Sequence, residues 1–365
     1  MSSKKDNFNK LDKKFMNLAM NLAINQKGLT GQNPSVGCVI VKNKKIISFG
    51  ATNINGRPHA ETIALRKNKK LNNGATLYVT LEPCSHYGKT PPCTNNLIQS
   101  KIKKVIYSIK DVDKRSFNKS KKILKLNKII TKSGLLEKNL NFFYNDYKHN
   151  KKNNMPYIIG KIACSSNYFI LKNNTKITNE HSINVSHLLR YRNQGILTSY
   201  KTINSDNPKL TCRINGLQKF SPQRIILDKD LKIYTNSYIV NTSNKFKTII
   251  FHNSNNLKKI NKLKAKNIRL IKFKIDQNGY FNLENVFKKI YKIGITNLLV
   301  ECGKDLTNNI LDNNLFNEFY IFKSSKKLNK KGKISILNIK KNLNSFKNKN
   351  YKNTFLDKDT LIHYY

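Results

Sequence analysis

The chain has 365 residues, enough for two domains of ordinary size. It carries 69 Lys and Arg against 20 Asp and Glu, a formal charge of +49, with 38% hydrophobic residues, 10% aromatic residues and no Trp. The excess is mostly Lys, runs the whole length and comes with abundant Asn and Ile, as an AT-rich coding sequence yields; it predicts diffuse anion binding and no specific nucleic-acid partner, because a nucleic-acid reader has a focused footprint. Six scattered cysteines (38, 84, 93, 164, 212 and 302) exclude a disulfide scaffold and suit a reducing compartment. No signal-peptide apolar stretch follows Met1 and no run approaches the ~18 apolar residues that span a bilayer, so the expected location is cytoplasmic, with no membrane partner.

Leu11, Phe15, Leu18, Ala19, Leu22 and Ala23 recur at helical spacing and predict an amphipathic helix over 11–26, ended by Gly28 and Gly31. Strands at 36–41 and 46–49 follow, then a helix at 60–70, a strand at 77–81 and a helix at 94–100. A strand at 105–109, a helix at 118–126, a strand at 129–130 and a helix at 134–147 complete the series. The alternation predicts a three-layer α/β domain over 1–148 with both sheet faces covered. The polar, aperiodic stretch before Met155-Pro156 predicts a linker over 149–155. A second α/β domain is expected over 156–365, with strands near 157–163, 196–199, 224–228, 248–252, 268–271, 295–300 and 318–322. Its helices are expected near 180–192 and 283–293, the latter stopped by Gly294.

The densest chemistry lies between His59 and Cys93. His59-Ala60-Glu61 opens a helix, and Glu82-Pro83-Cys84-Ser85-His86-Tyr87-Gly88-Lys89-Thr90-Pro91-Pro92-Cys93 follows a strand. One His and two Cys suit Zn²⁺ and leave its fourth position to water. Zinc lowers the pKa of such a water to ~7, and Glu61, two residues from the His, can move its proton. H-x-E followed by P-C-x-x-C marks the zinc nucleobase deaminases; here eight residues, not two, separate Cys84 from Cys93. Two blander readings stand beside this one: a closed structural zinc site with His86 as fourth ligand, and unrelated core residues. In the second half, Ile295–Asp305 reads as an apolar strand ending in a one-Gly turn that opens a helix. A phosphate could sit there, and a plain strand-to-helix turn fits as well.

Asn33-Pro34-Ser35-Val36-Gly37-Cys38 together with the Leu81–Cys93 string resembles the bifunctional riboflavin-biosynthesis deaminase/reductase family. Leu188-Leu189-Arg190, Gly195–Thr202, Asp206–Arg213, Arg224–Asp228 and Val300–Gly303 extend the likeness over nearly the whole chain. The resemblance implies a cytidine-deaminase-like first domain and a dihydrofolate-reductase-like second one. It implies zinc on His59, Cys84 and Cys93 with Glu61 as catalytic proton carrier, and Asn33, His86, Lys89 and Asp111 as contacts to a pyrimidine ribosyl phosphate. In the second domain it implies substrate contacts from Arg190, Leu210, Arg213 and Glu301. NADPH would meet Cys164, Lys176, Thr202, Asp206 and the turn Gly303-Lys304-Asp305-Leu306. The implied chemistry is deamination of 2,5-diamino-6-ribosylamino-4(3H)-pyrimidinone 5′-phosphate, then reduction of the ribosyl group to ribityl. The sequence departs from the family at Asp113 (commonly Asn), at 163–169, at Lys176 (commonly Trp), at Asn207 (commonly Asp) and beside Gly303. Rival readings are a deaminase with a degenerate reductase domain, a tRNA deaminase, and a non-catalytic zinc-stabilised binding module. A homo-oligomer is allowed.

Overall fold

A computed structural model describes residues 7–170, 176–328, 334–352 and 356–365. They form two compact units, Met1–Asn154 and Met155–Tyr365.

In the first unit α1 (Lys10–Asn25) precedes β1 (Gly37–Lys42) and β2 (Lys45–Ala51). Then come α2 (Ala60–Lys67), β3 (Thr76–Leu81), α3 (Cys93–Gln99), β4 (Lys104–Ile109), α4 (Lys119–Leu126), β5 (Ile130–Ser133), α5 (Glu137–Phe143) and α6 (Asn145–Asn153). Asn9 caps α1 through a reciprocal capping box with Asp12, satisfying two backbone donors that the helix start leaves open. The sheet order is β2-β1-β3-β4-β5, antiparallel through β1 and parallel from β3 to β5. Helices cover both faces, and two glycines let them approach. A Cβ on Gly37 would stand 1.8 Å from Ala19 O of α1, and one on Gly50 would stand 2.5 Å from Ala60 O of α2. Gly37 and Gly50 lie on opposite faces because Gly50 pairs with Cys38, the neighbour of Gly37. Both cross-face approaches bury the Val39, Ile40, Leu77, Val79, Val105 and Ile106 core.

Two expectations need correction here. The helix predicted at 134–147 is two helices broken at Tyr144, which is drawn into the core, where its hydroxyl bonds Thr80 Oγ1 (2.7 Å) and Ser35 O (2.8 Å). The linker predicted at 149–155 is mostly helical: α6 runs to Asn153, and the chain turns at Asn154, whose φ of 54° is the left-handed cap that Asn tolerates. Polarity misled there, because α6 is a surface helix whose buried residues are Tyr147 and Asn150.

The second unit contains β6 (Tyr157–Cys164), β7 (Phe169–Ile170), α7 (Glu180–Tyr191), β8 (Gly195–Ser199), α8 (Tyr200–Asp206), β9 (Gln223–Leu227), α9 (Tyr238–Asn241) and β10 (Thr248–His252). They are followed by α10 (Leu257–Lys264), β11 (Arg269–Lys272), α11 (Leu283–Lys292), β12 (Asn297–Val300), α12 (Lys304–Asp312), β13 (Glu318–Lys323), β14 (Ile334–Ser335), α13 (Leu337–Asn342), β15 (Lys349–Lys352) and β16 (Thr360–Tyr364). Nine strands form one sheet in the order β11-β10-β9-β8-β12-β6-β13-β16-β15, parallel from β11 to β13 and antiparallel at β16 and β15. Ile158, Ile162 and Cys164 of β6 point to one core, and Ile159 points to the apolar cluster on the other face. β12 lies between β6 and β8, so the order reverses at the sheet centre. Open α/β sheets bind ligands beyond the carboxyl ends of the strands at such a point.

Candidate functional sites

In the first unit, His59 is the N-cap of α2 and Cys93 is the first residue of α3, whereas Cys84 sits on the loop beyond β3. The ligand atoms of the three lie within 4.8 Å of one another. His59 Nδ1 is 3.3 Å from Cys93 Sγ and 3.6 Å from Cys84 Sγ. Tetrahedral zinc with Zn–N and Zn–S bonds of ordinary length requires ~3.6 Å between N and S, so the donor set fits that ion. The start of α3 steadies the thiolate: Cys93 N–H donates to Cys84 Sγ at 3.2 Å. Hydrogen bonding from Cys93, reinforced by His59, pulls the Cys84 thiol down to about 4 despite burial. Glu61, only 4% exposed, lies on the first turn of α2; burial raises its carboxyl and the cationic form of His59 opposes that rise.

His86 does not join the cluster. Its Nδ1 pairs with Ser116 Oγ at 2.8 Å, leaving three protein ligands among the described residues and removing the closed four-ligand reading. Asn33 Nδ2 donates to Gly56 O (3.0 Å), which fixes the turn before β1 against the loop leading to His59. Lys89 is exposed at the tip of the loop between the two cysteines. Asp111 is buried, accepts from Tyr147 OH (2.9 Å) and Asp113 N–H (3.0 Å), and is pushed up to about 6 by burial. Sequence reasoning missed Glu82, which accepts from Asp111 N–H, Asn118 N–H and Ser120 Oγ at 3.2, 3.3 and 2.6 Å and so ties the 111–120 segment to the cysteine loop. Its adjacency to Pro83-Cys84 was the available signal.

In the second unit, a cleft of about 800 Å³ opens where β6, β8 and β12 end. Thr202 and Asp206 of α8, Lys176, and Gly303, Lys304, Asp305 and Leu306 at the start of α12 line it, as do Arg190, Leu210 and Glu301. Gly303 is the N-cap of α12, and the nearest atom to a Cβ built there is Thr202 Oγ1 at 3.9 Å, so the space beside this helix start is open. Arg190 grips Glu301 with both arms of its fork (Nε–Oε1 and Nη2–Oε2, each 2.8 Å) and donates to Thr211 O at 3.1 Å. Lys161 Nζ lies 3.7 Å from the same carboxylate. Burial would raise Glu301, but Arg190 and Lys161 outweigh it and hold the carboxyl down to about 2. His187, also missed from the sequence, is kept neutral: burial, then Arg190 and Arg213, lower it to about 4.

Two expected contacts stand apart from this lining. Cys164 is fully buried in the core, because the pleat of β6 turns it to the same side as Ile162. Arg213 is exposed and absent from the cleft wall, although its charge is felt by His187. Asn207, where the family commonly has Asp, accepts Tyr238 N–H (2.7 Å) and adopts φ 43°, closing α8 beside Asp206.

Residues 9–109 match the cytidine and deoxycytidylate deaminase zinc-binding region, and residues 169–345 match the RibD C-terminal domain. The riboflavin biosynthesis protein RibD of Aquifex aeolicus is 34% identical over 355 residues, covering 96% of this chain and 98% of the relative. Its namesake from Bacillus amyloliquefaciens is 32% identical over 86% of this chain and 84% of its own length. Among solved structures, a diaminohydroxyphosphoribosylaminopyrimidine deaminase/5-amino-6-(5-phosphoribosylamino)uracil reductase from Thermotoga maritima is 28% identical, with a TM-score of 0.79 over 97% of this chain and 98% of that one.

Proposed function

From a chain that belongs to the RibD family of riboflavin biosynthesis, we infer a bifunctional enzyme, a zinc-dependent pyrimidine deaminase joined to an NADPH-dependent reductase. The observation that carries the first activity is the open three-ligand cluster of His59, Cys84 and Cys93 with a buried carboxyl at Glu61. His59, Cys84 and Cys93 would hold zinc, whose Lewis acidity makes a bound water acidic near neutral pH. Glu61 is placed to carry a proton from the attacking water to the departing ammonia, a role that its raised, desolvated carboxyl supports. Asn33, His86, Lys89 and Asp111 orient the 2,5-diamino-6-ribosylamino-4(3H)-pyrimidinone 5′-phosphate.

In the second unit Gly303 to Leu306 at the head of α12, with Thr202 and Asp206, would hold NADPH. NADPH supplies the hydride that converts the ribosyl to a ribityl chain. Glu301, held by Arg190, remains an acceptor for a substrate hydroxyl on the cleft floor. The intact cleft speaks against a degenerate second domain, despite the departures at Lys176 and Asn207. Six free cysteines suit work in the reducing cytoplasm. Among the described residues no helix is long and apolar enough to cross a membrane.

The test is incubation of the zinc-loaded protein with the diaminopyrimidine ribosyl phosphate and NADPH, followed by mass spectrometry. A deaminated, ribityl product is expected. A deaminated product that keeps its ribosyl group would remove the second activity, and unconverted substrate would remove the first.

A further inference from the structure

Four carboxylates lie on, or are bonded to, the segments that carry the candidate zinc ligands. Glu61, Glu82 and Asp111 are buried, and Asp113 has a side chain only 10% exposed. A phosphate dianion near these carboxylates is repelled by them, and a fixed cation beside it offsets that repulsion. Three basic side chains flank the loop between the cysteines. Lys89 is exposed at its tip, and Arg57 is turned into Thr90 Oγ1.

Arg115 differs from both. Its Nε donates to Asp113 Oδ1 at 2.9 Å and its Nη2 to Asp113 Oδ2 at 2.7 Å, so one edge of the guanidinium is locked. The side chain remains 60% exposed, which leaves its other donors toward solvent. The segment that carries it is built onto the site from two sides. Ser116, the next residue, bonds His86 at 2.8 Å, and Glu82 accepts the N–H groups of Asp111 and Asn118 at the segment's two ends. Arg115 is also near enough to His86 and Asp111 for the charges to couple. Lys151 gives Asp113 a second cation at 3.0 Å, so two cations share that carboxylate. A fork fixed on one edge and wet on the other is the arrangement that receives an anion bidentately.

We propose that Arg115, aimed by Asp113, binds the phosphate group of the substrate in the deaminase site. This rests on the reading of that substrate as a ribosyl phosphate. Asp at 113 then has a use in this chain that Asn would not serve as well, since a carboxylate can hold both arms of the fork.

The experiment compares deamination of the phosphorylated substrate and its dephosphorylated counterpart by wild type and Arg115→Gln, with zinc content recorded throughout. Lys151 stays on Asp113 in the variant, so no carboxylate is orphaned. We expect KM for the phosphorylated substrate to rise by ~10-fold or more, as loss of a hydrogen bond to a charged group implies, with kcat and the dephosphorylated reaction within about twofold. Arg115→Lys should recover part of the loss, because it keeps the charge without the fork. An unchanged KM in Arg115→Gln, or an equal fall on both substrates, would overturn the proposal; the first would leave a surface ion pair and the second a structural role. Absence of deamination by the wild type on either substrate would instead overturn the reading beneath it, and the proposal with it.

Discussion

The zinc cluster and the reductase cleft are built in opposite ways. The three candidate ligands and the carboxylate proposed to carry the proton lie within one short stretch, His59 being 34 positions from Cys93, on two helix starts and one loop. The cleft gathers side chains from Lys161 to Ile334, contributed by many separate elements. The first site depends on residue types that nothing else replaces. The second depends on where a nine-stranded sheet reverses its order, and many side chains can stand at such a point. Substitution should therefore act on chemistry in one unit and largely on fold and pocket shape in the other.

The largest expected effect follows from Glu61. Glu61→Gln should lower kcat for deamination by ~10²–10⁴-fold while zinc stoichiometry and reduction of the deaminated substrate are retained, measured by metal analysis and the two separate assays. Glu301→Gln should sharpen the contrast from the other side. It leaves Arg190 and Lys161 without their carboxylate in a mostly buried setting, and urea denaturation of the second unit should show a loss of ~3 kcal/mol. A smaller effect separates the units by pH. Asp111 is raised to about 6 in the fold, against ~3.9 unfolded, so the folded first unit binds the extra proton between those values and loses stability as pH rises through them. Glu301 is lowered to about 2, against ~4.3 unfolded, so its stabilisation is complete above ~4.3 and lost as pH falls toward 2. Acidification from pH 7 to 4.5 should then raise protection in the first unit and leave Glu301's contribution to the second unit intact, read by hydrogen exchange under denaturant. Asp111→Asn should abolish the change in the first unit.

The same contrast explains what the sequence revealed. The clustering of His59, Cys84 and Cys93 was legible because metal chemistry fixes residue type and because α2 and α3 start where the apolar pattern starts. Alternation of strands and helices gave the core of both sheets for the same reason. α6 was hidden because a surface helix such as Asn145–Asn153 offers few apolar positions to read. β15 was missed because Lys349–Lys352 is a fully exposed edge with no alternation. The side chain of Cys164 was misplaced because a one-residue difference along a strand exchanges core for cleft. Glu82 and Ser116 act through long-range partners, at separations no local pattern encodes.

The central claim is that the chain holds two active sites of different construction, one metal-dependent and one not. The most direct test is to strip the zinc with a chelator and assay both half-reactions on the full-length protein. Deamination should vanish and return on zinc addition, while NADPH oxidation driven by the deaminated ribosyl phosphate continues at its original rate. Loss of both activities on chelation, or survival of deamination without metal, would contradict the account.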